Sequence, residues 1–234
     1  FLAHEIAHQW WGHGLSYATY RDNWLTEGLS QFSAMLYLQK KYGQKELEEI
    51  QKRISRWVRK KSDLGPIILG PRLSYLDFAG YQAIVYDKAA LVLFMLKDLL
   101  GEDVFFKGLR NFYQSNLFRP ARTADFQRSL EEASGLDLKQ FFKDWFYSEA
   151  LPEVKVKKII PVDLDKTRPE LQVRQINRPF FFPLKIIVET DRGRFVENII
   201  VQNKEQVFHL DFPGRLKRLE VNPGDQVPGK IEIN

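Results

Sequence analysis

His4, Glu5 and His8 form the pattern H-E-x-x-H close to the start of the chain. On a helix, residues at i and i+4 share one face about 5 to 6 Å apart at Cβ, so two imidazoles so spaced can converge on one metal ion. A catalytic zinc takes three protein ligands at roughly 2.0 to 2.2 Å and keeps a fourth position for water. Glu27, with eighteen residues between it and His8, supplies the third donor. Glu5 sits on the turn of His4 but off the face of the histidines, which suits it to accept a proton from the attacking water and not to ligate. His13 is the competing third ligand, as in the longer pattern H-E-x-x-H-x-x-G-x-x-H. Its spacing falls one residue short, and Trp11 stands where that pattern needs a chain-reversing glycine. His13 is therefore expected to be a supporting or structural residue.

Three separated stretches carry a family resemblance. H-E-I-A-H-Q-W-W-G at His4 to Gly12 and D-N-W-L-T-E-G at Asp22 to Gly28 are followed by Y-D-K-A-A-L-V-L-F-M-L at Tyr86 to Leu96. In that order they resemble the zinc site of the aminopeptidase N family of gluzincin metallopeptidases, which also contains leukotriene-A hydrolase. His13 stands where that family usually has Asn, and Ala89 where it usually has Gly. The resemblance implies one Zn²⁺ per chain on His4, His8 and Glu27, with Glu5 as base. It also implies that Tyr86 is the catalytic tyrosine, hydrogen-bonding the oxyanion, and that Tyr81 is a second tyrosine near the substrate. The implied activity is removal of N-terminal residues from peptides by a zinc-activated water. Two alternatives remain: a catalytically silent, zinc-stabilised scaffold that binds peptides or a partner, and epoxide opening at the same metal. The family holds its substrate's amine with a Gly-x-Met-Glu-Asn segment, and no such segment occurs between Phe1 and Asn234. The amine anchor and one cleft wall are thus expected from a missing N-terminal part of the same chain. Phe1, three residues before a ligand, is an improbable natural start, because it would leave the metal helix frayed.

The elements that must position these residues can be read from periodicity. Residues 1 to 13 are expected to form the metal helix, ending near Gly12 and Gly14. Asp22 or Asn23 caps a second helix that carries Glu27 in its first turn, and Gly28 lets the metal helix approach closely. Leu47, Ile50, Ile54, Trp57 and Val58 mark a third helix, whose opposite face bears Lys52, Arg53, Arg56, Arg59, Lys60 and Lys61. That basic face reads as a solvated surface. Residues 62 to 80, broken by Gly65, Pro66, Gly70 and Pro71, read as an ordered loop near the cleft. A mostly buried helix follows from about Gly80 to Leu100 and carries both tyrosines. Further helices are expected at about 102 to 115, 123 to 134 and 137 to 148.

Past Pro152 the period changes from helical to alternating, as at Val154 and Val156 or Leu171 and Val173, with a hairpin at Asp191-Arg192-Gly193-Arg194. The fold expected is therefore α+β. Residues 1–151 would form the helical lobe of a thermolysin-like zinc peptidase domain, truncated at its N-terminus, and residues 152–234 a β-sandwich domain, which also resembles the family's third domain.

Composition narrows the rest. With 234 residues the chain can bury a real core, and its 35 basic against 30 acidic residues give only +5, which makes no case for nucleic acid. Without cysteine the metal must use histidine and carboxylate, and redox chemistry says nothing of the compartment. No apolar run reaches the length of a membrane span, and any targeting signal would lie upstream of Phe1.

Overall fold

The computed structural model describes residues 1–75, 77–160 and 166–234. Helix α1 (Leu2–Ala7) leads through a two-residue strand β1 (Ser16–Tyr17) and a 3₁₀ turn (Tyr20–Asp22) into the long helix α2 (Trp24–Tyr42). Helix α3 (Gln44–Lys61) is followed by 3₁₀ segments at Ser62–Leu64 and Ile67–Tyr75. Next comes one helical column in three parts: α4 (Phe78–Tyr81), a π-helical stretch (Gln82–Lys88) and α5 (Ala89–Leu100). Helix α6 (Glu102–Ser115), strand β2 (Pro120–Ala121), α7 (Thr123–Ser134) and α8 (Lys139–Trp145) complete the helical part. Leu76 of the expected loop and residues 161–165 of the strand-rich part lie outside the described residues.

The α5 part of the column lies at the centre of the molecule because residues 89–96 leave it no solvent face. Ala89 through Leu96 are all buried, as expected of a helix apolar on every side. α2 packs on it from one side and strands of the C-terminal part from the other. On α3 the pattern is one-sided: Leu47, Ile50, Ile54 and Val58 are buried, while Arg53, Arg56 and Lys60 are exposed.

The strands that follow are β3 (Glu153–Ile159), β4 (Lys166–Thr167), β5 (Glu170–Gln175), β6 (Phe182–Thr190), β7 (Gly193–Val201), β8 (Glu205–His209), β9 (Phe212–Pro213), β10 (Leu216–Val221) and β11 (Lys230–Ile233). They form a four-stranded sheet ordered β11-β3-β5-β8 and a three-stranded sheet ordered β10-β6-β7, with β4 paired to β9. Pairing is antiparallel except between β11 and β3. β3 and β5 alternate, burying Val154, Val156, Leu171 and Val173. β6, which packs on α5, instead buries Phe182, Leu184, Ile186, Ile187 and Val188 on both its faces. The hairpin expected at 191 to 194 is present, with Thr190 opposite Gly193 across a two-residue turn.

Helices and sheets share one continuous apolar core. Polar ties reinforce the junction. Lys185 Nζ lies 2.6 Å from Asp98 Oδ2, Arg59 pairs with Asp225 at 3.2 Å, and Trp145 Nε1 donates to the carbonyl of Phe181 at 2.8 Å. Among the described residues no helix is long and apolar enough to cross a membrane.

Two local expectations are corrected. The metal helix ends at Ala7, not near Gly12: beyond it Trp10 N–H turns back to Ala7 O, and His13, Gly14 and Leu15 bond five residues back, to His8, Gln9 and Trp10. His8 is the cap residue and keeps helical angles (φ −60°, ψ −16°), so the i, i+4 relation of the histidines survives the shorter helix. Gly28 does not serve α1. A Cβ there would come 2.6 Å from Ala89 Cβ and 3.3 Å from Val85 O, so the close approach it permits is between α2 and the column carrying Tyr86.

Candidate metal centre

His4 on α1, His8 at its cap and Glu27 in the first turn of α2 come together at one end of a cleft. Glu27 Oε2 lies 3.5 Å from His4 Nε2 and 3.4 Å from His8 Nε2, and the three donor atoms all fall within 4.8 Å of one another. Ligands at roughly 2.1 Å in a tetrahedron stand about 3.4 Å apart, the spacing found along both edges that meet at Glu27.

The other ring nitrogens fix what these atoms can do. His8 Nδ1 is 2.9 Å from the carbonyl oxygen of Trp11, which can only accept, so the proton sits on Nδ1 and Nε2 presents a lone pair. Ser30 Oγ lies 3.1 Å from the same Nδ1. His4 Nδ1 is 3.2 Å from Gln31 Oε1, whose own Nε2 donates to Asp87 Oδ1 at 3.0 Å. Two imidazole lone pairs and a carboxylate oxygen thus point at one another with no proton among them. Such a set is satisfied by a cation, and imidazole with carboxylate is a donor set that zinc accepts. Burial works against the charge on Glu27, but His4, His8 and Tyr86 outweigh it and hold the carboxyl below its usual range.

The column brings in two tyrosines. Tyr86 stacks on the His4 ring at 5.5 Å, and Tyr81 meets Tyr86 edge-on at 5.3 Å. On a regular α-helix residues five apart diverge by about 140°. Here the π-helical stretch, with its i to i+5 bonding, turns Tyr86 back over Tyr81. Tyr81 Oη donates to Asn23 Oδ1 at 2.8 Å. Asn23 therefore spends its side chain on this contact instead of capping α2. Asp22, the other expected cap, accepts from Thr19 and from the backbone and hydroxyl of Thr123. Burial, then the Glu27 carboxylate, push the Tyr81 hydroxyl up to about 12 and raise that of Tyr86 further still, so both keep their protons near neutrality.

Glu5 is exposed and lines the same cleft of about 560 Å³ as His4, His8, Glu27, Gln31 and Tyr86, with Arg53 and Trp57 of α3 on the far wall. His13 is exposed, with its ring on the carbonyl of His8, and takes no place in the donor set. Sequence reasoning did not single out Gln31, Ser30, Asn23 or Asp87 as parts of the site. One signal was available for Gln31, four residues beyond Glu27 and so on the same face of α2.

Residues 1–145 match the model of the peptidase family M1 domain. The chain is 28% identical to glutamyl aminopeptidase of Sus scrofa over 67% of its length and 28% identical to aminopeptidase N of Streptomyces lividans over 74%. It is 25% identical to probable aminopeptidase 1 of Sulfurisphaera tokodaii over 94%. It spans only 17%, 21% and 28% of those three proteins, respectively. Among solved structures, that of Legionella pneumophila aminopeptidase A in complex with aspartic acid superposes on 99% of this chain, and on 26% of its own, with a TM-score of 0.71 at 19% identity, a likeness of fold.

Proposed function

The chain belongs to peptidase family M1, and from that premise we propose that it carries the zinc site and catalytic residues of an aminopeptidase. The observation that supports this reading is the convergence of His4 Nε2, His8 Nε2 and Glu27 Oε2 while both Nδ1 atoms are engaged elsewhere. Zinc held there supplies Lewis acidity, polarising the scissile carbonyl and lowering the pKa of water towards 7. Glu5, on the cleft wall beside His4, accepts the proton of the attacking water and returns it to the leaving amine. Tyr86, protonated and stacked on His4, donates a hydrogen bond to the carbonyl oxygen as negative charge develops there. Tyr81, the second tyrosine assigned to the substrate side, meets Tyr86 edge-on and braces it.

Glu5 and Glu27 are committed to base and ligand, so neither is free to hold the substrate's α-amine. We assign that task to polypeptide beyond these 234 residues, in keeping with the greater length of the relatives. The same reading divides the chain into a thermolysin-like helical lobe over 1–151 and a β-sandwich over 152–234, following the change from helices to strands at Glu153.

The test compares zinc content and hydrolysis of a free and an N-acetylated aminoacyl anilide. It uses this chain and the longest natural polypeptide that contains it. One zinc per chain is expected, with preference for the free amine only in the longer polypeptide. Glu5→Gln should keep the zinc and lower the rate by about 10² to 10⁴. A chain that takes up no zinc, or a Glu5→Gln rate within tenfold of the parent, overturns the assignment; zinc uptake without turnover by the longer polypeptide supports the silent scaffold instead.

A further inference from the structure

His8 and His4 are held in different ways. A backbone carbonyl fixes the His8 tautomer, and a carbonyl cannot turn around. His4 leans instead on a side-chain amide, which can present either its oxygen or its nitrogen. If Gln31 offered Nε2, it would donate to His4 Nδ1, the ring proton would move to Nε2, and the lone pair facing Glu27 would be gone. What decides the orientation is the next residue out. The Asp87 carboxylate only accepts, so it takes the Gln31 Nε2–H at 3.0 Å and leaves Oε1 for His4 Nδ1–H at 3.2 Å. The amide is thereby pinned between two groups of opposite demand.

We propose that Gln31 and Asp87 are positioning residues for the metal centre, a relay from the π-helical stretch through α2 that holds His4 in the tautomer with a free Nε2. The proposal rests on the reading of His4 as a zinc ligand. The relay joins the two halves of the chemistry, since Asp87 directly follows Tyr86: the stretch that presents the tyrosine also sets the ligand. Burial pushes the Asp87 carboxyl up to about 6, while Gln31, Arg53 of α3 and His4 of α1 favour its charged form, so at mildly alkaline pH it is ionised and purely accepting. Partners that orient metal-bound histidines typically govern affinity by about 10- to 100-fold, without touching the metal.

Two readouts test this in the 234-residue chain: the zinc dissociation constant by competition with a chromogenic chelator, and the ¹⁵N imidazole pattern of His4 in the metal-free protein at mildly alkaline pH. The unsubstituted chain should show Nδ1–H at His4. Gln31→Met removes both ends of the amide while keeping its bulk; it should give a mixture of tautomers and zinc affinity lowered by about 10- to 100-fold. Asp87→Leu leaves Gln31 in place but free to turn, and should weaken zinc less. The double variant Gln31→Glu with Asp87→Asn exchanges amide and carboxylate between the two positions but preserves the pattern, because the carboxylate on α2 then accepts from both neighbours. It should restore Nδ1–H and bring affinity back to within about threefold of the unsubstituted chain or above it.

Gln31→Met with Nδ1–H intact and zinc affinity within about twofold of the parent overturns the relay and leaves the zinc site standing. A double variant as weak as Gln31→Met also overturns it. An unsubstituted chain that takes up no zinc removes the premise and the relay together.

Discussion

Two clusters of buried polar groups flank the same helical column, and they differ in one respect. On the cleft side, acceptor atoms of His4, His8 and Glu27 face one another, and none of the three can donate to another. On the opposite side, at the junction with the sheets, the buried charged groups Lys88 and Asp144 have their partners, although Gln51 Nε2 and Asn198 Oδ1 are buried without one. Lys88 Nζ donates to Ser148 O at 3.0 Å. Asp144, fully buried, accepts from Gln140 at 2.9 Å, from the Phe181 amide at 2.9 Å and from Arg178. Perturbed ionisation occurs on both sides: burial lifts Asp87 to about 6 and lowers Lys88 to about 7. A shifted pKa therefore does not separate chemistry from structure here. What separates them is whether the polar atoms satisfy each other or await something else.

The contrast predicts that changes on the cleft side cost metal and rate, and changes at the junction cost stability. Glu27→Ala should be the most severe, lowering zinc affinity by more than the roughly 100-fold ceiling of a partner that only orients a ligand. Without metal its denaturation midpoint should fall only modestly near neutral pH, because the contacts of Glu27 with His4, His8 and Tyr86 favour its ionised form in the folded chain. A variant that binds zinc normally, or that unfolds without it, would erase the distinction between the two sides.

Tyr86→Phe comes next. Loss of an oxyanion donor is worth about 2.7 to 4 kcal/mol in kcat with little change in KM. Steady-state kinetics on an active polypeptide carrying this sequence measure it, and an unchanged kcat would return Tyr86 to packing. Zinc content and melting temperature should stay put.

At the junction, Asp144→Ala strands the Phe181 amide and takes the carboxylate from Arg178, which keeps Ser148 Oγ. Breaking such a pair should cost about 3 kcal/mol in urea unfolding, tempered by the partial exposure of Arg178, while zinc affinity holds. A loss of zinc equal to the loss of stability would show that the two clusters are one.

Lys88→Met sharpens the comparison through pH. The folded chain holds Lys88 at about 7 against 10.5 for the free side chain, so folding disfavours its charged form. Its penalty is fully present below about pH 7 and fades as the pH rises towards 10.5, so the parent gains stability over that range. Lys88→Met has no such gain, and the difference between the two in urea midpoint should change steadily between about pH 7 and pH 9.5 in the parent's favour. Lys88→Met also strands the Ser148 carbonyl at every pH, at a cost of about 1 to 3 kcal/mol, so the slope with pH, not the offset, is the diagnostic quantity. Parallel pH profiles would sink this account of Lys88.

Much of this molecule follows from sequence spacing alone. The histidines sit at i and i+4, a relation that any helical geometry delivers even though α1 stops at Ala7. Glu27 needs only the start of the next helix, and the switch from helical to alternating burial after Pro152 is written in the residues themselves. What the sequence could not decide depends on contacts between distant segments. Periodicity predicted a regular helix from Gly80 to Leu100 and so could not bring Tyr81 and Tyr86 to one face. Packing against α2 and α3 stabilises the π-helical turn that does. Gly28 reads as a close-contact residue in any sequence, but only the fold shows that its partner is the tyrosine column. Asn23, Gln31 and Asp87 look like an ordinary cap and two surface polar residues. Their donors and acceptors are assigned by groups up to 58 positions away, across distances no local pattern encodes, because a hydrogen bond is decided by which chain segments the core has already brought together.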